Sequence, residues 1–372
     1  MILKAASGKK RKKTPVSWYV LDQIIHRMAN ALHRKILTRE ECLQIAQWLH
    51  ISEKTFDVAI DHLVSISALH YYRHILPNVL FTDPQVLLDK VTELVEFHRQ
   101  LSNNPSDQKA ASGEFRRFRD EAHVSIKLLS LEQFSRHYSD IFTPKGFLKL
   151  MEDRLIIVRQ IGKDEYFMPC VLPVLTSEVV DNHRLKSSVP AAPLIIRFAN
   201  GWAPHGIFCS LIAYLLSFQN PSPWKLYPDP SNAMEPKCLA RTCITFQLPD
   251  APGAITLIDS FAFFEVHVNA PDVVCKVICY RVQTAIILGI QKAADTLRYK
   301  GLSPELAFIC QHRITDVNSA SKARDHSDHK IHAAKILQKY NWWICTVDPA
   351  IYGDLKEEHN IWIKPPLNDS EL

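Results

Sequence analysis

The sequence predicts an α+β protein, with an N-terminal helical half of the winged-helix type and a C-terminal half in which a sheet packs against apolar helices. Three observations carry this prediction. Apolar residues recur at helical spacing through the first half, and short runs of β-branched and aromatic residues follow in the second. The stretch 193–218 combines a strand, a tight corner and an almost wholly apolar helix, so we expect the core of the second half to form around it.

The composition is that of a globular chain without an obvious catalytic motif. Its 372 residues are 47% hydrophobic, which is enough for two or three domains. The glycine motifs of dinucleotide-binding proteins, serine hydrolases and P-loop NTPases do not occur, so we expect neither an enzyme nor a cofactor. The longest apolar run is about half of the ~20 residues that a membrane helix needs, and we expect no membrane span.

The cysteines and the N-terminus bear on location. The nine cysteines form no C-x-x-C pair, which predicts reduced thiols. No apolar segment follows the first basic residues, so we expect a cytoplasmic protein without a secretory signal. The basic run Lys9, Lys10, Arg11, Lys12 and Lys13 is typical of a nuclear-localisation signal, of a patch for acidic surfaces or of a solvated tail, and the sequence leaves these open.

We divide the chain into five parts. They are a basic tail at 1–13, a helical domain at 14–175, a linker at 176–192, an α+β domain at 193–300 and a C-terminal extension at 301–372. The linker is placed where the helical period stops and where Pro190 and Pro193 stiffen the chain.

The helical domain opens with three short helices and a hairpin, which together describe a winged helix. Each helix follows a side chain suited to cap it: Ser17 or Thr14, then Thr38 with Glu41 in a capping box, then Ser52. The hairpin strands are expected at 69–73 and 79–82.

The third helix decides between two functions. In a DNA-binding protein of this type it would carry basic or amide side chains into the major groove. Its outward positions here are Glu53, Lys54, Asp57 and Asp61. Carboxylates that face phosphates are unfavourable, so nucleic acid is not the partner we expect. A winged-helix nucleic-acid binder that uses the basic tail remains the alternative function.

A longer helix follows from Asp83-Pro84. Its predicted buried stripe is Leu87, Leu88, Val91, Leu94, Val95 and Leu101. After a polar stretch at 102–113, a helix from Thr143-Pro144 and a hairpin at 155–168 loosely repeat the helix-then-hairpin pattern.

In the α+β domain, strands are expected at 194–198, 243–248, 255–259 and 263–268, and helices from Pro204 and Pro271-Asp272. Gly201 and Gly206 have the separation of two P-loop glycines, but Ile207 and Phe208 stand where a P-loop has Lys and Ser/Thr. We therefore interpret 199–206 as a packing corner, with Trp202 and Phe208 as buried hydrophobic residues.

Several of these landmarks together resemble the COR domain, the region C-terminal to the Roc GTPase in Roco proteins. They are Ser17-Trp18, residues 69–72, the run from Phe81 to Leu88 (FTDPQVLL), Tyr166 to Pro169 (YFMP), Leu172-Pro173, residues 195–198, Pro204 to Cys209 (PHGIFC) and the helix from Cys275. The resemblance covers about 14–310 and consists of hydrophobic landmarks, so it bears on fold more than on activity.

The resemblance implies a COR-A-like half, a COR-B-like half and a non-enzymatic dimerisation and scaffold module that relays between a GTPase and effectors. No phosphate-binding loop precedes Trp18, so the implied Roc-type GTPase would lie in trans or upstream. We expect a homodimer with further protein partners. The expected interaction residues are Trp202, Phe208, Tyr214 and Phe218: Phe208 packs on the sheet, and Tyr214 and Phe218 face a second copy.

The C-terminal extension contains cysteine and histidine residues of the kind that bind zinc. Cys310, His312, His332 and Cys345 are the candidate ligands, but no C-x-x-C pair anchors them. Histidines spaced three apart, such as His326, His329 and His332, are typical of a solvated helix face, so we assign no metal site. A hydrolase is not expected either, because no Ser or Cys lies on a glycine-flanked elbow.

Overall fold

The computed structural model describes residues 14–103, 113–135, 138–160, 164–176, 180, 193–217, 224–226, 239–247, 253–269, 272–308, 332–333, 342–344, 352–354 and 362. Mixed helices and antiparallel sheets confirm the α+β class. The described residues form two compact units. Unit 1 holds those up to 103 and those from Ile126 to Asp153, and unit 2 holds the rest.

This division differs from the predicted domains. The segment 113–125 and the residues from Arg154 onward belong to unit 2. Of the predicted linker at 176–192 only Thr176 and Val180 are described, and the basic tail at 1–13 lies outside the described residues.

Unit 1 begins with the elements α1 (Val16–Ala31), β1 (Ile36–Thr38), α2 (Arg39–Trp48), α3 (Glu53–Ser65), β2 (His70–Tyr71), β3 (Val79–Phe81) and α4 (Gln85–Asn103). The strands form an antiparallel sheet in the order β1-β3-β2. The hairpin β2-β3 lies where the sequence predicts it. Strand β1 was not predicted, because three residues that pair far along the chain carry no local signal of their own.

Local capping fixes the second and third helices. The backbone N–H of Glu41 donates to Thr38 Oγ1 (3.1 Å) and the backbone N–H of Thr38 donates to Glu41 Oε2 (2.7 Å), so the predicted capping box is confirmed. Ser52 caps α3 through the N–H of Thr55. The first helix differs from prediction: it begins after Pro15 without a side-chain cap, and Thr14 is hydrogen-bonded to His62 of α3 instead.

The core of unit 1 forms where α1, α2 and α3 pack together. Its fully buried side chains include Leu21, Ile25, Cys42, Ile45, Phe56, Ala59, Ile60 and Leu63. The inward face predicted for α3 is confirmed residue by residue.

Helix α4 is turned differently from the prediction. Lys90, Leu94, His98 and Leu101 are buried, whereas the side chains of Leu88 and Val95 are 58% and 37% exposed. Aromatic rings accommodate the buried ammonium of Lys90: its Nζ lies 4.2 Å from the centroid of the Tyr138 ring and 5.8 Å from that of Phe142. Partners distant in sequence, not the apolar period, therefore set the rotation of this helix.

The remaining helices of unit 1 are α6 (Ile126–Leu129), α7 (Glu132–Ser135) and α8 (Pro144–Asp153). The hydroxyl of Thr143 accepts the N–H of Gly146, as predicted for the cap of α8. Around them in the sequence, unit 2 contributes α5 (Gly113–Glu121), β4 (His123–Ser125), β5 (Val158–Arg159) and β6 (Glu165–Phe167), with the sheet order β4-β6-β5. The order helix, strand, helices and hairpin thus occurs twice along the chain, and in both sheets the last strand is central.

The large antiparallel sheet of unit 2 confirms the predicted strands and adds others. Its members are β7 (Leu194–Phe198), β8 (Lys225–Leu226), β9 (Leu239–Ala240), β10 (Cys243–Gln247), β11 (Ala254–Asp259), β12 (Phe263–Asn269), β13 (Pro304–Phe308) and β14 (His332–Ala333). The order is β14-β13-β7-β12-β11-β10-β8, and β9 also pairs with β10. Because β13 pairs with β7, the sheet continues past the predicted domain end at 300. A separate two-stranded antiparallel sheet pairs β15 (Trp342–Ile344) with β16 (Tyr352–Asp354).

The two apolar helices of unit 2 are α9 (Ile207–Ser217) and α10 (Asp272–Thr296), which pack on each other. Helix α9 meets the sheet through Phe208, whose ring lies 5.1 Å from that of Phe264, which in turn lies 5.1 Å from Phe198. The sheet carries a second small cluster of Val180, Cys243 and Ile258, with Leu175 packed against it.

The cysteines depart from the prediction in one respect. Cys42, Cys170, Cys209 and Cys279 are free thiols, as expected. Cys243 is disulfide-bonded, and its partner is not one of these four. An odd number of cysteines does not exclude a pair, so the prediction that all of them are reduced is wrong for Cys243.

Candidate interaction surfaces

The outward face of α3 is the first surface to test, because it separates nucleic-acid binding from protein binding. Arg39, at the start of α2, contacts Asp57 at 3.2 Å and Glu53 at 3.4 Å. Arg73, which follows β2, contacts Asp57 at 3.4 Å and Asp61 at 3.1 Å. The carboxylates predicted to point outward are therefore linked to α2 on one side and to the hairpin on the other.

Both arginines are also held by aromatic rings. The guanidinium of Arg39 lies 5.5 Å from the ring centroid of Phe56, and that of Arg73 lies 5.5 Å from the centroid of Tyr71. Burial lowers the pKa of Arg39, but the hydrogen bonds that Arg39 donates to Asp57 and Glu53 outweigh this effect and raise the pKa. The carboxylates of this face are thus occupied by ion pairs, and both arginines already have carboxylate partners.

The four predicted interaction residues have different fates. Trp202 is 52% exposed, so the prediction that it is buried is wrong, while its place on an accessible surface suits an interaction role. Phe208 is 3% exposed and belongs to the core, where it cannot contact a partner. Phe218 lies outside the described residues.

Tyr214 was expected to face a second copy, but its ring lies against α10. A Cβ placed on Gly289 would be 2.8 Å from Tyr214 Cδ1 and 2.5 Å from Leu211 Cδ1. Burial also raises the pKa of the Tyr214 hydroxyl. The face of α9 that was predicted to contact a second copy therefore packs, at Tyr214, against α10 within unit 2.

The strand register collects four loops at one end of the large sheet, which we call the loop end. Phe198 pairs with Pro304, Arg197 with Phe263, Ile258 with Cys243 and Cys243 with Ala240. The turns at 199–206, 241–242, 260–262 and 297–303 therefore lie side by side.

Three aromatic side chains are exposed at the loop end: Trp202 at 52%, Phe261 at 68% and Tyr299 at 39%. Hydrogen bonds tie their loops together. The N–H of Ala203 donates to the carbonyl of Phe261 (2.9 Å), and the hydroxyl of Tyr299 donates to the carbonyl of His205 (3.3 Å). These hydrogen bonds connect the three loops that carry the exposed rings.

Charged groups flank these rings. Arg241, Arg298, Lys300 and His205 are exposed in the same loops. Asp259 lies among them, where its Oδ1 accepts the backbone N–H of Phe261 (2.9 Å) and where burial raises its pKa. Asp295, one turn before Arg298, is exposed.

Sequence reasoning found Trp202 but missed Phe261 and Tyr299. Phe261 stands in the three-residue turn between two predicted strands, a position that favours Gly, Asn or Asp, and it has a left-handed φ of 62°. A large aromatic residue in so short a turn was the available signal.

Two observations on the described residues bear on thiol chemistry and on metal binding. Burial raises the pKa of the Cys209 thiol to about 12 and that of Cys170 to about 11, so neither is an activated nucleophile. Among the described residues no group of three or more His, Cys, Asp or Glu side chains could hold a metal ion. The candidate ligands Cys310, His312 and Cys345 lie outside those residues, and of His332 only the backbone is described.

Within the same ranges, no helix combines the length and the apolar character needed to cross a bilayer. No protein-family model matches this chain, and no curated protein matches it.

Proposed function

We propose that this chain is a non-enzymatic scaffold and dimerisation module of the COR type, which assembles with other proteins and acts beside a Roc-type GTPase that lies elsewhere. A cytoplasmic location, with access to the nucleus through 9–13, belongs to the same proposal. The observation that carries it is the ion-paired face of α3, because that face suits protein contact and not phosphate binding.

The topology of unit 1 supports the winged-helix part of the proposal. Helix, strand, two helices and two strands follow in that order, and the strands form an antiparallel sheet with β3 in the centre. Such a unit binds DNA or protein according to the side chains on its third helix.

The charges on that helix favour protein. The outward face of α3 carries three carboxylates against one lysine, Lys54, and the nearby Arg39 and Arg73 are already paired with those carboxylates. This face therefore offers a DNA backbone little positive charge. Unit 1 also exposes apolar side chains, among them Trp48 at 78%, Val58 at 56% and Tyr19 at 62%, and such residues are enriched in protein interfaces.

Light scattering on the full chain tests the dimer. A stable interface buries more than about 1,000 Å², and a dimer held by such an interface persists at low concentration. We therefore expect a mass near twice that of one chain at about 1 to 50 μM. A monomer across this range would contradict the dimerisation part of the proposal.

Fluorescence anisotropy with a random-sequence DNA duplex tests the alternative. We expect weak binding at low salt that disappears at physiological salt, and that requires the basic residues at 9–13. Binding that survives both physiological salt and neutral substitutions at 9–13 would favour the winged-helix nucleic-acid binder instead.

A further inference from the structure

We infer that the loop end of unit 2 binds an acidic protein segment that carries an aromatic or aliphatic anchor. The inference rests on the proposed scaffold function and specifies the chemistry of one partner. It starts from the aromatic surface formed by Trp202, Phe261 and Tyr299.

The composition of this surface is that of an interface hot spot. Tryptophan, tyrosine and arginine contribute most to binding energy where proteins meet, and the loop end presents Trp202 and Tyr299 with Arg241 and Arg298 in the neighbouring turns. Rings of this size give a large contact area for little lost side-chain freedom.

The backbone of these loops favours a preformed site. Gly201, Gly206 and Gly301 have φ values of 80°, 84° and 75°, and the non-glycine residues Phe261 and Arg298 have φ values of 62° and 59°. Residues other than glycine adopt this left-handed backbone conformation at a cost that the surrounding structure must offset, and such residues concentrate at binding sites. Rings held in place before binding lose less entropy on association.

The charges select an acidic partner. Arg241 lies at one side of the rings, and Arg298 and Lys300 lie at the other. Of the nearby carboxylates, Asp259 is engaged by the backbone N–H of Phe261, so Asp295 is the one that faces solvent. A partner with carboxylates on both sides of an apolar anchor would complement this arrangement.

The same charges argue against two other occupants. A second copy in a symmetric contact would bring this cationic surface against itself, which is unfavourable. A nucleic acid needs a continuous row of cations along its phosphates, and the exposed Asp295 interrupts the row here.

The strand order gives the size of the site. From β13 to β10 the loops span four inter-strand spacings, or about 19 Å. An extended segment of about six residues covers this distance.

The test uses the full chain with a neutral tail, since 9–13 would itself attract acidic molecules. The background substitutions are Lys9→Gln, Lys10→Gln, Arg11→Gln, Lys12→Gln and Lys13→Gln. The probes are a labelled random Glu/Tyr copolymer, poly-glutamate without tyrosine, a Lys/Tyr copolymer and single-stranded oligo-dT. Binding is measured by anisotropy at physiological salt.

We expect the Glu/Tyr copolymer to bind more tightly than the other three probes. Trp202→Ala, or Phe261→Gly, which suits the left-handed backbone, should weaken it about tenfold or more. Arg298→Glu should do the same by reversing a charge. Leu88→Ala removes a comparably exposed apolar side chain (58%) from unit 1 and should have no effect. Circular dichroism confirms that each variant is folded.

Equal binding of the Glu/Tyr copolymer to the wild type and to the folded Trp202→Ala and Phe261→Gly variants would overturn the inference. Oligo-dT binding as tightly, with the same dependence on Trp202, would overturn it in favour of a nucleic-acid site. If light scattering still finds the dimer and DNA binding still fails at physiological salt, only this inference is lost and the scaffold function stands.

Discussion

The ring of Tyr214 on α9 lies directly over Gly289 on α10, so closely that a Cβ at Gly289 would be 2.8 Å from Tyr214 Cδ1. Leu211, one turn earlier on α9, leaves even less room, at 2.5 Å. The absence of a side chain at position 289 thus sets how closely the two apolar helices of unit 2 approach.

Gly289→Ala should destabilise unit 2 even though alanine favours helices. The propensity gain in a helix interior is about 1 kcal/mol, while forcing a methyl group into a filled contact costs about 1 to 3 kcal/mol. We expect a net loss of about 1 kcal/mol in the free energy of unfolding, measured by urea denaturation. Gly113→Ala is the control, because nothing lies within 4 Å of a Cβ at that position. A stabilised Gly289→Ala variant would contradict the contact.

Tyr214→Lys should lower stability, and not only block assembly. Its ring packs on α10, so a lysine loses that contact and places an ammonium near apolar side chains, although the long side chain can reach solvent. We expect a loss of about 1 to 3 kcal/mol by thermal denaturation with circular dichroism. Tyr19→Lys, at a site 62% exposed, should be nearly neutral. A Tyr214→Lys variant that dissociates but keeps its melting temperature would restore this residue to the dimer surface.

These contacts show which parts of the fold the sequence could predict. The capping box of Thr38 and Glu41 and the buried face of α3 depend on residues within a turn or two, and local patterns predicted both. The direction that Tyr214 faces depends on Gly289, and the rotation of α4 depends on Tyr138 and Phe142. Spacing within one helix contains no information about such distant partners.

Of the three exposed aromatic residues at the loop end, the sequence predicted only Trp202, again because the other two depend on distant strand pairing. Trp202 stood out beside a glycine corner, but its neighbours Phe261 and Tyr299 reach it only through the pairing of β7 with β12 and β13. The sequence identifies the strands, whereas their order in the sheet, which brings the three loops side by side, is a property of the folded chain.

Lys90 should make the stability of unit 1 depend on pH. Burial lowers the pKa of this lysine to about 8, from an unfolded value of about 10.5. Between pH 8 and pH 10.5 the unfolded chain binds more protons than the folded chain, so stability rises with pH across this range. The stability gained by burying Lys90 in its neutral form is therefore fully present above about pH 10.5 and is lost as the pH falls through about 8.

Lys90→Met removes this linkage and keeps an apolar side chain of similar length. The difference in unfolding free energy between wild type and variant should shift by about 1 to 3 kcal/mol in favour of the wild type from pH 7 to pH 10, measured by urea denaturation. The attraction of the ammonium to the Tyr138 ring offsets part of the effect. Lys149→Met, at an exposed position on α8, is the control. A difference that does not change with pH would show that Lys90 is not buried as a cation.

The buried pair Glu265 and His267 on β12 should be among the most sensitive points of unit 2. Glu265 Oε1 accepts the hydroxyl of Ser260 (2.6 Å) and Oε2 lies 3.0 Å from His267 Nε2, while the side chains of Glu265 and His267 are only 3% and 2% exposed. Glu265→Ala takes this acceptor from the half-buried Ser260 hydroxyl and the buried His267 ring, so we expect a loss of about 2 to 4 kcal/mol in urea denaturation followed by tryptophan fluorescence. Glu265→Gln keeps a carbonyl oxygen and should lose less. Glu305→Ala, on the exposed side of β13, should change stability by less than about 0.5 kcal/mol. If Glu265→Ala and Glu305→Ala were equally stable, the hydrogen bonds of Glu265 would contribute nothing to the fold.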